Sequence, residues 1–310
     1  MKTLSVIVPV LNEVLVIDTL VERLTRVLQS LNLDSEIIFV NDGSSDETLV
    51  VLRKFARTDR RLKIVSFSRN FGHQSAVMAG IDYCTGDCAV IIDADLQDPP
   101  ELIPEMVSKW EEGNMVVYAQ REVRKGESAF KRATAKIFYR LLRSITNVNI
   151  PMDTGDFRLI DRKVMEALKR MPERNKFLRG MIPWIGFKQV AVKYTRQERF
   201  AGTTKYPLRK MIRLALDGIT SFSTTPLYVA AYAGFFITFI TFLLGIYVIW
   251  LRLFTEKTVA GWTSTMLSIF FLGGVQLIFI GIIGIYMGRV SDEVKNRPQY
   301  LVEEEINFDK

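Results

Sequence analysis

The stretch VIIDADLQDPPE, residues 90–101, decides how the rest of the chain is read. With Ala89 before it, it opens on a short apolar run of the kind a fully buried strand carries. Three aspartates then fall within a few positions, at Asp93, Asp95 and Asp98. Pro99 and Pro100 suit the first turn of a helix that begins at about Glu101. Carboxylates crowded at a strand end repel one another unless something positive lies between them. Paired hard oxygen donors suit Mg2+ or Mn2+, which keep several waters and bind substrate phosphates. A D-x-D alone is a weak signal, and its place behind a core strand gives it weight.

Outward from this stretch the same pattern repeats. Strand-like runs cover residues 3–10 (TLSVIVPV), 36–40 (EIIFV), 62–67 (LKIVSF), 88–94 (CAVIIDA) and 115–120 (MVVYAQ). Helix-like stretches cover 13–30, 45–57, 73–84 and 101–111. Strands alternating with helices of this length predict an α/β domain with a mostly parallel sheet and right-handed crossovers. Ligands of such sheets bind beyond the carboxyl ends of the strands. Pro9–Glu13, Asp42 and Asp93–Asp95 all fall at such ends, so the site is expected at that edge. Ser45, with Asp46 and Glu47 behind it, reads as the start of the second helix. Gly86 and Asp87 break the chain ahead of the fourth strand.

The last third of the chain differs in character. Residues 227–251 and 264–288 carry no charged residue. A bilayer span needs about 20 mostly apolar residues, so both are read as transmembrane helices. No signal peptide is read at the start, because Asn12 and Glu13 end the first apolar run without a cleavage site. Arg209, Lys210 and Arg213 precede the first span, and Arg289, Lys295 and Arg297 follow the second. Only Arg252 and Lys257 lie between, which puts both termini in the cytoplasm. The expected organisation is a cytosolic domain over 1–206, an amphipathic juxtamembrane segment over 207–226, the two spans within 227–288 and a cytosolic tail over 289–310. The acidic end of that tail, VEEEINFDK, reads as solvated.

Residues 128–146 read as a basic amphipathic helix that fits either the sheet surface or the membrane surface. Gly274, Gly281 and Gly288 recur every seven residues, and Gly284 with Gly288 makes a G-x-x-x-G. Such a face favours helix packing, within the pair or as a homo-oligomer of subunits, or is a set of tolerated glycines. The net charge of +7 suits anionic lipid and anionic substrates. Nucleic acid is not the expected partner, because the basic residues gather towards the spans. Cys84 and Cys88 are the only cysteines and lack His or Cys companions, so they read as reduced, inert thiols rather than a metal pair.

Together PVLNE (9–13), FVNDGSSDET (39–48), SRNFGHQSAVMAG (68–80) and VIIDADLQDPPE (90–101) resemble the signature segments of family 2 glycosyltransferases, which have the GT-A fold. DTGDFRLIDR (153–162), RFAGTTKY (199–206) and the paired spans narrow the resemblance to polyprenyl-phosphate glycosyltransferases. That group contains dolichol-phosphate mannose synthases and bacterial GtrB-type glucosyltransferases, and the resemblance covers about residues 3–290. It implies a GT-A, Rossmann-like domain followed by a two-helix transmembrane hairpin. The implied reaction is metal-dependent, inverting transfer of a hexose from a nucleotide sugar, UDP-glucose first, to undecaprenyl or another polyprenyl phosphate. The implied place is the cytoplasmic face of a bacterial inner membrane. GDP-mannose with a polyprenyl or dolichyl acceptor, and UDP-N-acetylglucosamine or another aminosugar donor, stay open, since no single residue selects among them.

Matched to the motifs of that family, Pro9, Asn12, Glu13 and Asp42 lie around the base and ribose. Asp93 and Asp95, flanking Ala94, form the D-x-D pair. Asp95 is the direct metal ligand, Gln97 lies close to metal and phosphates, and Asp98 shapes the turn. Asp156 matches the acidic residue near the acceptor, as base or positioning group, and Arg199 and Lys205 match basic residues facing the phosphates. Arg121, just past the fifth run, is a candidate phosphate ligand. Asn41 departs from the commoner Asp-Asp-Gly, while the second acid remains. Plainer readings stand beside these: Asp42 as a turn cap, Asp156 as a turn residue, Arg199 and Lys205 as headgroup contacts, His73 as a helix-start packing or phosphate residue. A lipid monophosphate, with a second pKa of about 6, is largely dianionic at neutral pH. Asp156 is therefore expected to orient more than to remove a proton. A processive polysaccharide synthase would carry a Q-x-x-R-W motif, absent here, and an ion path would need charge within the spans.

Overall fold

The computed structural model describes residues 2–122, 151, 154–174, 176–195, 224–254 and 261–308. The chain forms two compact units, Met1–Leu214 with Pro298–Lys310, and Ala215–Arg297.

The first unit is built on strands β1 (Thr3–Val10), β2 (Asp34–Asn41), β3 (Leu62–Phe67), β4 (Cys88–Ile91), β5 (Val116–Arg121), β6 (Thr154–Asp161), β7 (Gln189–Tyr194) and β8 (Val302–Ile306). They form one sheet in the order β7-β5-β6-β4-β1-β2-β3-β8. Pairing is parallel from β4 through β1 and β2 to β3, and again between β5 and β7. β6 runs antiparallel to both its neighbours, and β8 runs antiparallel to β3. This is the mostly parallel α/β sheet that the alternating pattern predicts. From Leu4 onward every residue of β1 is buried, as befits a central parallel strand covered on both faces.

The helices α1 (Ile17–Gln29), α2 (Thr48–Thr58), α3 (His73–Tyr83), α4 (Ile103–Glu111), α5 (Arg162–Arg170) and α6 (Leu178–Ile185) connect the strands. In α1 the residues Ile17, Leu20, Val21, Leu24, Val27 and Leu28 are buried, the spacing that lines one face of a helix. Helix α3 lies so close to β1 that a Cβ at Gly80 would overlap Ile7 Cγ2 and stand 3.2 Å from Ile7 Cβ. Cys84 and Cys88 are free and buried, and burial pushes both thiols up, Cys84 to about 11, consistent with inert thiols.

Two expectations are corrected. The second helix begins at Thr48, not Ser45: the Asp46 carboxylate accepts the Thr48 N–H at 3.0 Å in a local turn ahead of the helix, and the Ser45 N–H donates to Asn12 Oδ1 at 2.8 Å across to the β1–α1 loop. The acidic tail is not a solvated end. Val302–Ile306 pairs with β3, the Ser68 N–H donates to Leu301 O at 3.1 Å, and Asn307 Nδ2 donates to Ala56 O and Leu62 O at 2.7 and 2.8 Å.

The second unit holds α7 (Thr225–Phe254) and α8 (Trp262–Val294). Both are long and apolar enough to cross a membrane, and almost none of their apolar windows is buried. Phe235 and Phe270, for instance, are 79% and 73% exposed. They pack where a Cβ on Gly234 would lie 3.3 Å from Phe279, while Gly274, Gly281, Gly284 and Gly288 face nothing within 4 Å. The glycine row is therefore not the seam between these two helices. Residues 128–146 and 207–222, read as amphipathic, lie outside the described residues.

Candidate active site

The motif segments that follow β1, β2, β3 and β4 meet the start of β6 at one edge of the sheet. The β1–α1 and β2–α2 loops are stitched together there. Asn12, at φ 55, receives Ser45 N–H on its side chain and gives its own N–H to Ser44 Oγ at 3.0 Å. The Glu13 N–H donates to Thr48 Oγ1 at 2.9 Å. Pro9 stays inside β1, paired opposite Val40. Asp42 is buried, and its carboxylate accepts the N–H groups of Phe71 at 2.6 Å and Gly72 at 3.0 Å. It thereby pins the β3–α3 loop. Burial raises the Asp42 carboxyl, and these two amides only partly offset it. Gly43, at φ 68, sits where a Cβ would lie 2.5 Å from the Arg69 backbone, so this turn requires glycine.

The chemistry concentrates between β4 and β6. Their antiparallel register matches Cys88 to Asp161 and Ile91 to Arg158, and continued by two residues it sets Asp93 across from Asp156. Into the gap comes His73, the first residue of α3. Its Nε2 lies 3.2 Å from Asp156 Oδ2 and 3.6 Å from Asp93 Oδ1. Arg179, on α6, donates from Nε and Nη2 to the two oxygens of Asp156 at 2.8 and 2.9 Å. Arg158, buried within β6, places Nη2 3.9 Å from Asp156 Oδ1 and donates to Gly155 O at 2.8 Å. On the far side Asp98 accepts the Tyr194 hydroxyl, and Arg121 donates from Nε to Tyr194 Oη at 3.1 Å, with Nη2 3.9 Å from Asp98. Gly155 makes room for this arginine, since a Cβ there would lie 2.8 Å from Arg121 Nη2.

Three carboxylates, Asp93, Asp98 and Asp156, thus face four basic groups, His73, Arg121, Arg158 and Arg179, and the charges follow. Burial works against the His73 imidazolium, but Asp156 and Asp93 outweigh it and raise its pKa to about 9. Burial lifts Asp93 to about 6; His73 opposes the rise, and the carboxylates of Asp156, Asp98 and Asp95 add to it. Burial would raise Asp156 too, yet Arg179 and His73 hold it well below the usual carboxylate range. A carboxylate so held is a poor proton acceptor and a good fixed charge.

Among the described residues, no three His, Cys, Asp or Glu side chains gather into an all-protein metal cage. Magnesium-type sites use one or two carboxylates together with substrate phosphates. Asp93, raised first by burial and then by the carboxylates around it, and Asp95, whose Oδ1 takes the Gln97 N–H at 3.1 Å, supply that donor chemistry. Ala94 is packed into the core between them. Arg199 and Lys205 lie outside the described residues. Sequence reasoning left Asp98 as a turn residue, whereas it is buried and joins Tyr194 to Arg121. It named neither Arg158 nor Arg179; an arginine inside the apolar run FRLI was the one available signal for the first.

The model of "Glycosyl transferase family 2" matches residues 5–169. The chain is 52% identical over 305 residues to the uncharacterized glycosyltransferase YkcC of Bacillus subtilis, covering 98% of this chain and 94% of that protein. It is 44% identical over 299 residues to the SfII prophage-derived bactoprenol glucosyl transferase of Shigella flexneri, covering 96% of this chain and 97% of that protein. Among solved structures, glucosyl-3-phosphoglycerate synthase of Mycobacterium tuberculosis with Mn2+, UDP and glucosyl-3-phosphoglycerate aligns at a TM-score of 0.48 and 20% identity, over 71% of this chain and 78% of that one. Matched by the family model over half its length, and by such relatives almost from end to end, the chain belongs to glycosyl transferase family 2 and is a glycosyltransferase.

Proposed function

We propose that the protein transfers glucose from UDP-glucose to a polyprenyl phosphate such as undecaprenyl phosphate, with inversion and with Mg2+ or Mn2+, at the cytoplasmic face of a membrane. The observation that carries this reading is the alignment with the Shigella flexneri bactoprenol glucosyl transferase, which spans 96% of this chain and so takes in the apolar helices as well as the sheet. In this reading Pro9, Asn12, Glu13 and Asp42 line the base and ribose, and Asp93, Asp95, Gln97 and Arg121 face the diphosphate. Asp93, Asp95 and Gln97 would hold the divalent ion, which when bound neutralises charge on the departing diphosphate. Arg199 and Lys205 would add positive charge toward the phosphates.

The acceptor phosphate oxygen forms its bond to the anomeric carbon as the bond from that carbon to the UDP oxygen breaks, and the electron pair leaves with UDP. In-line attack turns an α-linked donor into a β-linked product. A dianionic phosphate has no proton to surrender, so an ionised Asp156 orients the reacting groups. The polyprenyl tail stays in the bilayer, because exposing it would cost ~0.8 kcal/mol per CH2. Residues on both sides of the helical unit belong to the same compact unit, which supports a chain that returns to the side it left. The basic flanks support that side being the cytoplasm.

The test is a donor screen. Full-length protein in detergent, given undecaprenyl phosphate and each of UDP-glucose, GDP-mannose and UDP-N-acetylglucosamine in turn, should yield a lipid one hexose heavier with UDP-glucose alone. Chelation should stop transfer and Mg2+ or Mn2+ restore it. Transfer that survives Asp95→Ala would overturn the metal assignment.

A further inference from the structure

Arg179 belongs to none of the motifs, yet it grips Asp156 at both oxygens, at 2.8 and 2.9 Å. Two parallel bonds from a planar guanidinium fix the tilt of a carboxylate as well as its place, which a single bond or a lysine cannot do. The grip is itself held. Helix α6 buries Leu178, Met181 and Ile182, and its first N–H, that of Leu178, donates to Gln74 Oε1 at 3.2 Å. Gln74 is the neighbour of His73 on α3, and His73 lies 3.2 Å from the same Asp156 oxygen that Arg179 Nη2 holds. Two helices joined to each other therefore present two cations to one carboxylate, and β6 presents Arg158 as a third. A surface brace for α6 would need one contact of loose geometry; this carboxylate is fixed in orientation from several sides.

We propose that Arg179 is a positioning residue for glycosyl transfer, clamping the Asp156 carboxylate in one orientation toward the reacting groups. The proposal rests on the reading of Asp156 as the acceptor-side carboxylate. Arg179→Ala should lower kcat about 100-fold, the loss that a displacement of about 1 Å produces, with the KM for UDP-glucose little changed. Added guanidinium ion should restore part of that kcat. Arg179→Lys keeps the charge and loses the fork, and should lose kcat about 10-fold. Combined with Asp156→Asn, Arg179→Ala should be no worse than the more damaging single change, since the two residues act as a unit.

Unfolding and size-exclusion profiles of each variant accompany the kinetics. If Arg179→Ala does not fold, Arg179→Lys decides. Equal kcat for Arg179→Lys and wild type, multiplicative losses in the double variant, or no response of folded Arg179→Ala to guanidinium would each overturn the proposal. Absence of lipid transfer by the wild-type chain would overturn the functional reading and this proposal together, so the two failures are distinguishable.

Discussion

Tyr300 offers a direct test of how the C-terminal strand is held. Its ring stacks on Phe67 with centroids 4.9 Å apart, and its hydroxyl donates to Asp82 Oδ2 at 2.9 Å. Burial and the Asp82 carboxylate push the phenol pKa up, so the hydroxyl keeps its proton at any working pH. The stacked pair contributes about 1 kcal/mol beyond its area, and burial of part of the ring about 1 more. A hydrogen bond to a charged acceptor is worth about 1.5–3 kcal/mol, reduced to about 1 where water competes, as at this exposed pair. Tyr300→Ala should therefore ease the opening of β8 by about 3 kcal/mol, and Tyr300→Phe by about 1. At about 1.4 kcal/mol per factor of ten, amide hydrogen exchange across Val302–Ile306 should speed up about 100-fold and about fivefold respectively. Mass spectrometry of the full chain in detergent micelles, following peptides from β3 and β8 with β4 as internal control, measures this. Unchanged protection of β8 in Tyr300→Ala would refute the reasoning, as would equal acceleration in β4.

Other consequences can be checked separately. Gly80→Ala drives a methyl into Ile7 and should cost about 1–3 kcal/mol, read as a lower thermal midpoint and partly relieved by Ile7→Ala. Glu36 is buried, which alone would raise its carboxyl, but bonds from Lys63, Ser5 and Thr85 bring it below its ordinary 4.5. Its contribution to stability is complete above that value and lost as pH falls through the lower folded value. Thermal midpoints should drop on acidification below it, and less steeply in Glu36→Gln. Asp42→Ala leaves the Phe71 and Gly72 amides without their acceptor, at about 1–3 kcal/mol. The variant should unfold earlier and show a higher KM for the sugar nucleotide, while Asp42→Asn keeps part of both properties.

The parallel half of the sheet was legible because its strands are buried on both faces and so read as unbroken apolar runs. The predicted runs 3–10 and 62–67 coincide with β1 and β3, and 36–40 falls inside Asp34–Asn41. The carboxyl-edge motifs were legible for the same reason, since each follows such a run. The partners of Asp156 were not. Antiparallel pairing between β4 and β6 sets residues about seventy positions apart side by side, such as Cys88 and Asp161, and no local pattern states a register. Arg179 sits in a short helix whose sequence, LRGMIPWI, offers no motif. β8 hid behind its charge: Val302, Glu304 and Ile306 are its half-buried face, and three consecutive glutamates mask the alternation. Charged edge strands of this kind discourage pairing with other molecules.

That last strand carries a consequence for biosynthesis. β8 follows α8 in the chain, so the ribosome delivers it only after both apolar helices have been made. Until then β3 presents a row of unpaired N–H and C=O groups, a template for any other extended chain. The outermost position of the sheet thus acts as a completion seal. A fragment stopping at Leu214 would keep the central strands and lose the piece that shields their rim, and its expected failing is self-association through β3.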